Sequence, residues 1–449
     1  MVTDNGQDSE LGPGPTANPD SAPQLVGHSL LSDMRSRGLL AQCSDEDGLL
    51  EHLQGGSRTL YCGFDPTADS LHIGNLVPLL ALRRFQLAGH RPIILVGGAT
   101  GMIGDPSGKS AERNLTSAEV VADWTDRIRQ QVSKFFDFNG QNGALVVNNY
   151  DWTVRLNVID FLRDVGKHFS VNAMMARDSV KSRLDRDGEG ISYTEFSYVV
   201  LQSMDFAELA REYGATLQVG GSDQWGNIVS GVDLIRRRFG SQAYAATFPL
   251  VTKADGTKFG KTAGGAIWLD AEKTSPYSFY QFWLNTADAD VIPFLYQFTF
   301  LSDAEVADLA DAVEHQPQSR AAQKALAGAV TELVHGPDAL VAAERISQAL
   351  FQGDLGSLTH SDFEQLALDG MDSTLVDMPN PSLLDLLVAS GLASSKSAGR
   401  KLVAGGGVSL NGRVQTDSGA VIQRSDGFVG GYHLLRRGKK VWHLLKQTD

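Results

Sequence analysis

Cysteine is scarce in this chain: two, Cys43 and Cys62, occur in 449 residues. That excludes a disulfide framework or a zinc knuckle, and each thiol reads first as a small buried hydrophobe in a reducing compartment. Long apolar runs are missing too. Nothing approaches the roughly eighteen residues needed to span a bilayer, which argues against a membrane role. The first 28 residues lack the basic start and apolar core of a secretory signal; rich in Gly, Pro, Ser, Asp and Asn, they read as a disordered tail on a cytoplasmic protein. No solenoid-type repeat occurs. Positive charge is also in deficit, with 39 bases against 53 acids and a net charge of −14, so whole-surface binding of nucleic acid is excluded. The deficit is uneven. From Pro379 to Asp449 ten bases face four acids, a local +6 that leaves −20 for the remainder.

Two common nucleotide signatures are absent as well. "GDPSGKS" resembles a phosphate loop, but that loop needs glycine at 103, where isoleucine stands. In "GGATGMIG" the glycines at 98, 101 and 104 fall three apart, which is not the dinucleotide spacing. Glycines after a strand can still admit a ligand close to the backbone, or simply turn the chain tightly.

With 42% hydrophobic and 20% charged residues, the composition is that of a globular protein with sizeable cores, and the length suits about three domains. From 29 to 250, apolar runs (Thr59 to Phe64, Pro92 to Gly98, Ala144 to Asn148, Thr216 to Gly220) alternate with helical patterns such as Leu76 to Ala88. That alternation predicts an α/β, Rossmann-like domain with a parallel sheet and ligands at the carboxyl ends of its strands. A Gly- and Lys-containing bridge occupies 251–275. Helical patterns fill 276–352, with a capping box at Ser302–Glu305 and a hinge at "VHGPDAL". A linker is expected over 353–378. Residues 379–449 show a helical pair and then Asn411-Gly412, a type I′ hairpin signal, giving a small α+β domain.

Chemistry-bearing residues gather after the strands. Thr67, His72, Gly74 and Asn75 in "DPTADSLHIGN" stand at a strand-to-helix junction, where a histidine in the first helical turn and the helix dipole favour phosphate. In "SYTEFSYVVLQSMDF" the spacing predicts a helix opened by a Ser192–Glu195 capping box. Tyr198, Gln202 and Asp205 then stack on one face, as a polar ligand's site or as a surface stripe. Ser222, Asp223 and Gln224 offer a carboxylate for ribose or a cap for the next helix. Lys258 and Lys261 in "KFGKT" make a cationic finger or a solvated loop.

Together these stretches resemble class I aminoacyl-tRNA synthetases, and closely the bacterial tyrosyl-tRNA synthetases. "HIGN" stands for the family's HIGH signature and "KFGKT" for KMSKS; "YCGFDPTADSLHIGN", "GGATGMIGDPSG", "NNYDW", "FSYVVLQSMDF", "GGSDQWGN" and "TKADGTKFGKT" match tyrosine-enzyme blocks. Asn75 replaces the last histidine, and Phe259 and Gly260 replace Met and Ser, with both lysines kept.

The resemblance implies that tyrosine is activated by ATP, as substrate, and passed to the 3′ end of tRNA(Tyr). Mg²⁺ would travel on the phosphates without a dedicated protein site. It implies Thr67 and His72 at the nucleotide phosphates, with Lys258 and Lys261 closing over them and Lys109 and Arg113 assisting pyrophosphate. Gly74, Asn75, Cys62 and Asp223 would face ATP's adenosine, with Asn75 also counted among the catalytic residues; Gly63, Asp65 and Lys261 would also bind ATP. Tyr61 and Asp205 would hold the phenolic hydroxyl; Asp105, Tyr198 and Gln202 the ammonium group; Gln224 the carboxylate and α-phosphate. The helical domain would approach the anticodon, and Arg400, Lys401, Arg413, Arg436, Arg437, Lys439 and Lys440, in a module resembling a ribosomal small-subunit protein, would contact the tRNA backbone. The family works as a homodimer. The alternative is a catalytically inactive RNA-binding relative.

Overall fold

The computed structural model describes residues 30–107, 117–184, 190–257, 259–262, 265–378 and 380–448. The expected N-terminal tail, and the candidates Lys109, Arg113 and Lys258, lie outside the described residues. The chain divides into two compact units: one of residues 1–261 and 292–308, the other of 262–291 and 309–449.

The first unit is built on a six-stranded sheet. Its strands are β1 (Gln42–Cys43), β2 (Thr59–Phe64), β3 (Arg91–Val96), β4 (Leu145–Asn148), β5 (Ala215–Gly221) and β6 (Tyr244–Phe248), in the order β1-β6-β5-β2-β3-β4. All neighbours are parallel except β1, which runs antiparallel to β6. The four expected strands therefore form, each within a residue or two of its apolar run. Inner strands such as β2 and β3 are buried almost throughout, so their sequences read as continuous apolar runs. Because β2 pairs with β3 on one side and β5 on the other, the strand order reverses there and a crevice opens beyond the carboxyl ends of β2 and β5.

Four helices pack against this sheet: α1 (Leu76–Leu87), α2 (Ala118–Ser133), α3 (Tyr193–Tyr213) and α4 (Trp225–Phe239). Gly231 lets α4 close on α3, since a Cβ there would lie 2.9 Å from the Phe206 ring. The core between sheet and helices holds Tyr61, Ile93, Leu95, Val199, Phe206, Leu209 and Leu234. Ser192 caps α3 as expected, accepting from the Glu195 amide, but the box is only half made. The Glu195 carboxylate is 1% exposed and pairs with Arg183 at 3.1 Å, because burial makes a guanidinium the better partner.

The second unit contains α5 (Pro276–Leu284), α6 (Ala321–His335) and α7 (Pro337–Gln352), packed on one another, with Gly336 at φ 87° and Pro337 making the expected joint. It also contains a five-stranded sheet: β7 (Ser373–Val376), β8 (Val408–Leu410), β9 (Arg413–Val414), β10 (Tyr432–Arg437) and β11 (Val441–Gln447), in the order β9-β8-β10-β11-β7. Asn411 and Gly412, at φ 50° and 83°, turn β8 into β9 as their sequence predicts. The helices α8 (Leu383–Ala389) and α9 (Lys396–Ala404) supply its apolar cover. The segment expected as a linker, 353–378, corrects the sequence reading. It contributes a short helix, His360–Gln365, and the edge strand β7, which runs parallel to β11. Four alternating residues carry too weak a pattern to announce a strand whose partner lies some seventy positions on.

That short helix is held by Asp362, which is fully buried, caps with Thr359 and takes two bonds from Arg345 at 2.8 and 2.7 Å. Burial pushes its carboxyl up, but the Arg345 and Thr359 bonds outweigh burial and hold it below the usual carboxylate range. A depressed carboxyl stabilises the fold above its unfolded value and loses that contribution as pH falls through the folded one. Arg345→Ala should therefore cost somewhat less than the roughly 3–5 kcal/mol of a fully buried broken pair. Thermal unfolding followed by circular dichroism should show this deficit at pH 7 and a smaller one toward pH 3; a deficit independent of pH would contradict the assignment.

Candidate active site

Tyr61, on β2, is fully buried with its ring 5.2 Å from that of Phe206. Its hydroxyl is buried and has no hydrogen-bond partner among the described residues. Burial, then the charge of Asp205 and then Cys62, hold the phenol well above its ordinary value, so it keeps its proton and remains a donor. Asp205, on α3, is 1% exposed. Its Oδ1 accepts from the Trp152 indole at 2.8 Å and its Oδ2 from the Asn149 amide at 2.9 Å. Burial raises its carboxyl to about 7 despite those two bonds, with Asp65 and Glu208 adding to the rise.

The rest of the α3 stripe also turns inward, not to the surface. Tyr198 is buried and donates to Asp65 Oδ2 at 2.7 Å. Gln202 Oε1 is buried without a partner among the described residues. Asp105 accepts from the Ser107 amide at 2.9 Å and from Gln224 Nε2 at 2.6 Å, so the loop after β3 is tied to the turn after β5. The glycines opening the loop after β3 make room for the protein's own side chains. A Cβ on Gly97 would meet Asp65 Oδ1 at 2.0 Å, and one on Gly98 would meet Asn148 Oδ1 at 2.4 Å.

On the other side of β2, Gly63, Thr67, His72 and Gly74 are exposed. His72 lies one step before the helix the sequence put it in. It caps a 3₁₀ turn, Ile73–Asn75, that leads into α1. Its Nδ1 accepts from the Gly74 amide at 3.1 Å while Asn75 Oδ1 accepts from the His72 amide at 3.0 Å. That pairing puts the neutral ring's proton on Nε2, making it a donor. From α2, Gln131 clamps the preceding residues, accepting from the Leu71 amide at 2.9 Å and donating to Ser70 at 3.0 Å. The Cys62 thiol is buried and pushed up to about 12, by burial first and by the Asp223 charge second, so those two groups are neighbours.

Of the cationic finger, residues 259–262 are described. Phe259 packs on Phe294 and Phe298, with centroids at 5.0 and 5.1 Å. Gly260, at φ 79°, passes so near the His72 turn that a Cβ would lie 2.6 Å from Ile73 Cγ2. Lys261 falls in a two-residue strand, Lys261–Thr262.

In the second unit Arg400, Lys401, Arg413, Arg437, Lys439 and Lys440 are exposed. Arg436 is half-buried, its guanidinium 4.9 Å from the Trp442 ring centre, and Arg437 donates to the Leu392 carbonyl at 2.7 Å. Among the described residues no helix is long and apolar enough to cross a membrane.

Sequence reasoning missed Asn149, Trp152, Thr100 and Gln131. Asn149 and Trp152 carried a weak signal, polar and aromatic groups just past the carboxyl end of a parallel strand, where crevice residues belong.

Residues 54–352 match a family model described as class I tRNA synthetases (W and Y), and residues 362–445 one described as the Tyrosine--tRNA ligase SYY-like C-terminal domain. A Tyrosine--tRNA ligase of Aliivibrio fischeri strain MJ11 is 56% identical over 421 residues, 93% of this chain and 98% of that protein. One from Klebsiella pneumoniae strain 342 is 54% identical over 423 residues, 94% of this chain and 99% of that protein. Among solved structures, a C-terminally truncated mitochondrial tyrosyl-tRNA synthetase of Aspergillus nidulans aligns with a TM-score of 0.65 at 30% identity, covering 72% of this chain and 94% of that one.

Proposed function

Because this chain belongs to the class I tRNA synthetases for tryptophan and tyrosine, and within them to the tyrosine-tRNA ligases, we propose that Tyr61 and Asp205 select its amino acid. The activity is ligation of tyrosine to tRNA with ATP as substrate. The tyrosine carboxylate attacks the α-phosphorus of ATP; a new P–O bond forms as the bond to pyrophosphate breaks. A terminal ribose hydroxyl of tRNA then attacks the tyrosyl carbonyl and AMP leaves. Neither step needs a protein nucleophile, so alignment and preorganised donors carry the acceleration.

The observation that carries the site assignment is the pair of buried, unpartnered polar atoms, Tyr61 Oη and Gln202 Oε1, beside a carboxylate whose own donors are neutral. An unpaired buried polar atom costs about 1–3 kcal/mol, which a tyrosine phenol and ammonium group would relieve. In this reading Tyr61 donates to the phenolic oxygen and Asp205 accepts its proton. Gln202, Tyr198 and Asp105 surround the ammonium group, and Gln224, bonded to Asp105, faces the carboxylate and α-phosphate. Asp65, expected to bind ATP, is placed on the amino-acid side instead, since it holds the Tyr198 hydroxyl. Thr67 and His72 Nε2 donate to the phosphates, with Lys109, Arg113, Lys258 and Lys261 supplying positive charge. Cys62, Gly63, Gly74, Asn75 and Asp223 line the adenosine. Asp65 and Asp105 already accept protein hydrogen bonds, so Mg²⁺ is assigned to the ATP phosphates and no protein residue is assigned to it. The helices of 276–352 would approach the anticodon, and the exposed bases of 379–449 would meet tRNA phosphates, which position without specifying. The cytoplasm is the assigned compartment. The inactive alternative finds no support in relatives of this identity over nearly the whole chain.

A second copy of the chain is the partner that suits the exposed apolar side chains between 154 and 171, among them Val154, Val158, Ile159 and Val171 at 58, 65, 63 and 58% exposure. On this ground a homodimer is the assembly we assign. Analytical ultracentrifugation should give twice the chain mass and Ile159→Asp should move the protein toward the single-chain mass; a wild type sedimenting as one chain would overturn the assignment.

Exchange of labelled pyrophosphate into ATP, run across amino acids, tests the site. Tyrosine should support exchange and phenylalanine should fall behind by roughly 10⁴–10⁵, a magnitude for which a tyrosyl enzyme is itself the reference case. Asp205 is charged above about pH 7 and neutral below it, and the groups around it are Tyr61, Asp65, Tyr198 and Glu208 with Asn149 and Trp152. The tyrosine KM should therefore rise as pH falls through about 7, and Asp205→Asn should flatten that rise. Exchange that prefers tryptophan, or a pH dependence unchanged in Asp205→Asn, would refute the reading.

A further inference from the structure

Thr100 opens a short helix, Thr100–Ile103, after β3, and its side chain is 3% exposed. Its hydroxyl lies 2.7 Å from Asp65 Oδ1 and 2.9 Å from Asn149 Nδ2. Asn149 is fully buried. Its Oδ1 accepts from the Ala99 amide at 2.7 Å, which fixes which end of the carboxamide is nitrogen. The two amide hydrogens then go to Thr100 Oγ1 and to Asp205 Oδ2, the latter at 2.9 Å. With Asn149 donating, the Thr100 hydroxyl has one consistent polarity: it accepts from Asn149 and donates to Asp65. Asp65 in turn accepts the Tyr198 hydroxyl on its other oxygen.

We infer that Thr100 is a positioning residue for tyrosine recognition, the joint through which Asn149 fixes the carboxylate of Asp205 relative to that of Asp65. The inference rests on the site assignment above, in which Asp205 meets the phenolic end of tyrosine and Asp65, through Tyr198, the ammonium end. The buried carboxylate of Asp205 and the partly buried one of Asp65 repel, and each needs donors that bring no mobile proton of their own. The Thr100–Asn149 bridge supplies one such donor to each. It also sets the separation of the two ends of the site, because the bridging side chains themselves are held in the core, Asn149 fully buried and Thr100 3% exposed. Thr100 touches no reacting atom in this arrangement and acts only through Asp65 and Asn149.

Thr100→Val keeps the shape and removes both bonds, leaving one amide hydrogen of Asn149 unpaired. In steady-state pyrophosphate exchange its tyrosine KM should rise about tenfold or more. The ATP KM should stay within about twofold, and the preference for tyrosine over phenylalanine should shrink by a similar tenfold. Thr100→Ser, which retains the hydroxyl, should restore all three. Thr100→Ala, smaller and lacking the hydroxyl, repeats the test if valine is not accommodated. A valine or alanine variant with unchanged tyrosine KM and preference overturns the inference, as does a serine variant that behaves like valine. Failure of the wild type to exchange with tyrosine would instead sink the site assignment itself, so the two failures are distinguishable.

Discussion

Keeping a carboxylate charged inside a protein costs several kcal/mol unless donors surround it, and the donors bonded to Asp205 are both neutral, an amide and an indole. Much of the catalytic unit can be derived from meeting that constraint. The end of β4 must deliver Asn149 and Trp152 together. The start of the loop after β3 must be glycine, so that Asp65 and Asn148 can enter where a Cβ would stand. Helix α3 must turn Tyr198, Gln202 and Asp205 inward on one stripe. The outcome is a carboxyl balanced near neutrality, raised by burial and lowered by its two bonds, beside a phenol whose proton burial holds in place well above its ordinary range. Such a pair can both give and take a hydrogen bond, which is what a phenolic hydroxyl requires and a benzyl side chain cannot use.

The residues proposed to face the nucleotide follow a different logic. There Gly63, Thr67, His72 and Gly74 are exposed and the backbone does the arranging: His72 and Asn75 cap one another across a single 3₁₀ turn, and Gln131 pins the two residues before it. Substituting asparagine for the last histidine of the signature preserves this arrangement, because Asn75 Oδ1 is the group that closes the cap. The glycine at 260 likewise has a reason in the fold, since any larger residue would strike Ile73. In the other unit the bases on α9, β9 and the β10–β11 turn concentrate positive charge that the rest of the chain lacks, which suits a polyanionic partner held by one unit.

What could be read from the sequence is what period and local chemistry encode. Apolar runs gave β2 to β5 to within a residue or two, Asn411-Gly412 gave its hairpin, and the four-then-three spacing of Tyr198, Gln202 and Asp205 gave one face of one helix. Which way that face points was not encoded locally. Nor was the fate of Glu195, whose capping role is lost to Arg183 once both are buried. The partners of Asp205 stand more than fifty positions away in the chain, and no periodicity links them. The strand at 373–376 was hidden for the same reason, being defined by a distant pairing and not by its own four residues.

Equilibrium binding tests the central claim most directly: titrate the enzyme, without nucleotide, with L-tyrosine and with L-phenylalanine, and repeat with Tyr61→Phe. If a buried phenol and carboxylate read the substrate hydroxyl, the wild type should bind tyrosine far more tightly, and the variant should surrender about tenfold or more of that advantage while its affinity for phenylalanine holds or improves. Equal loss of affinity for both ligands, or a preference untouched by the substitution, would contradict it.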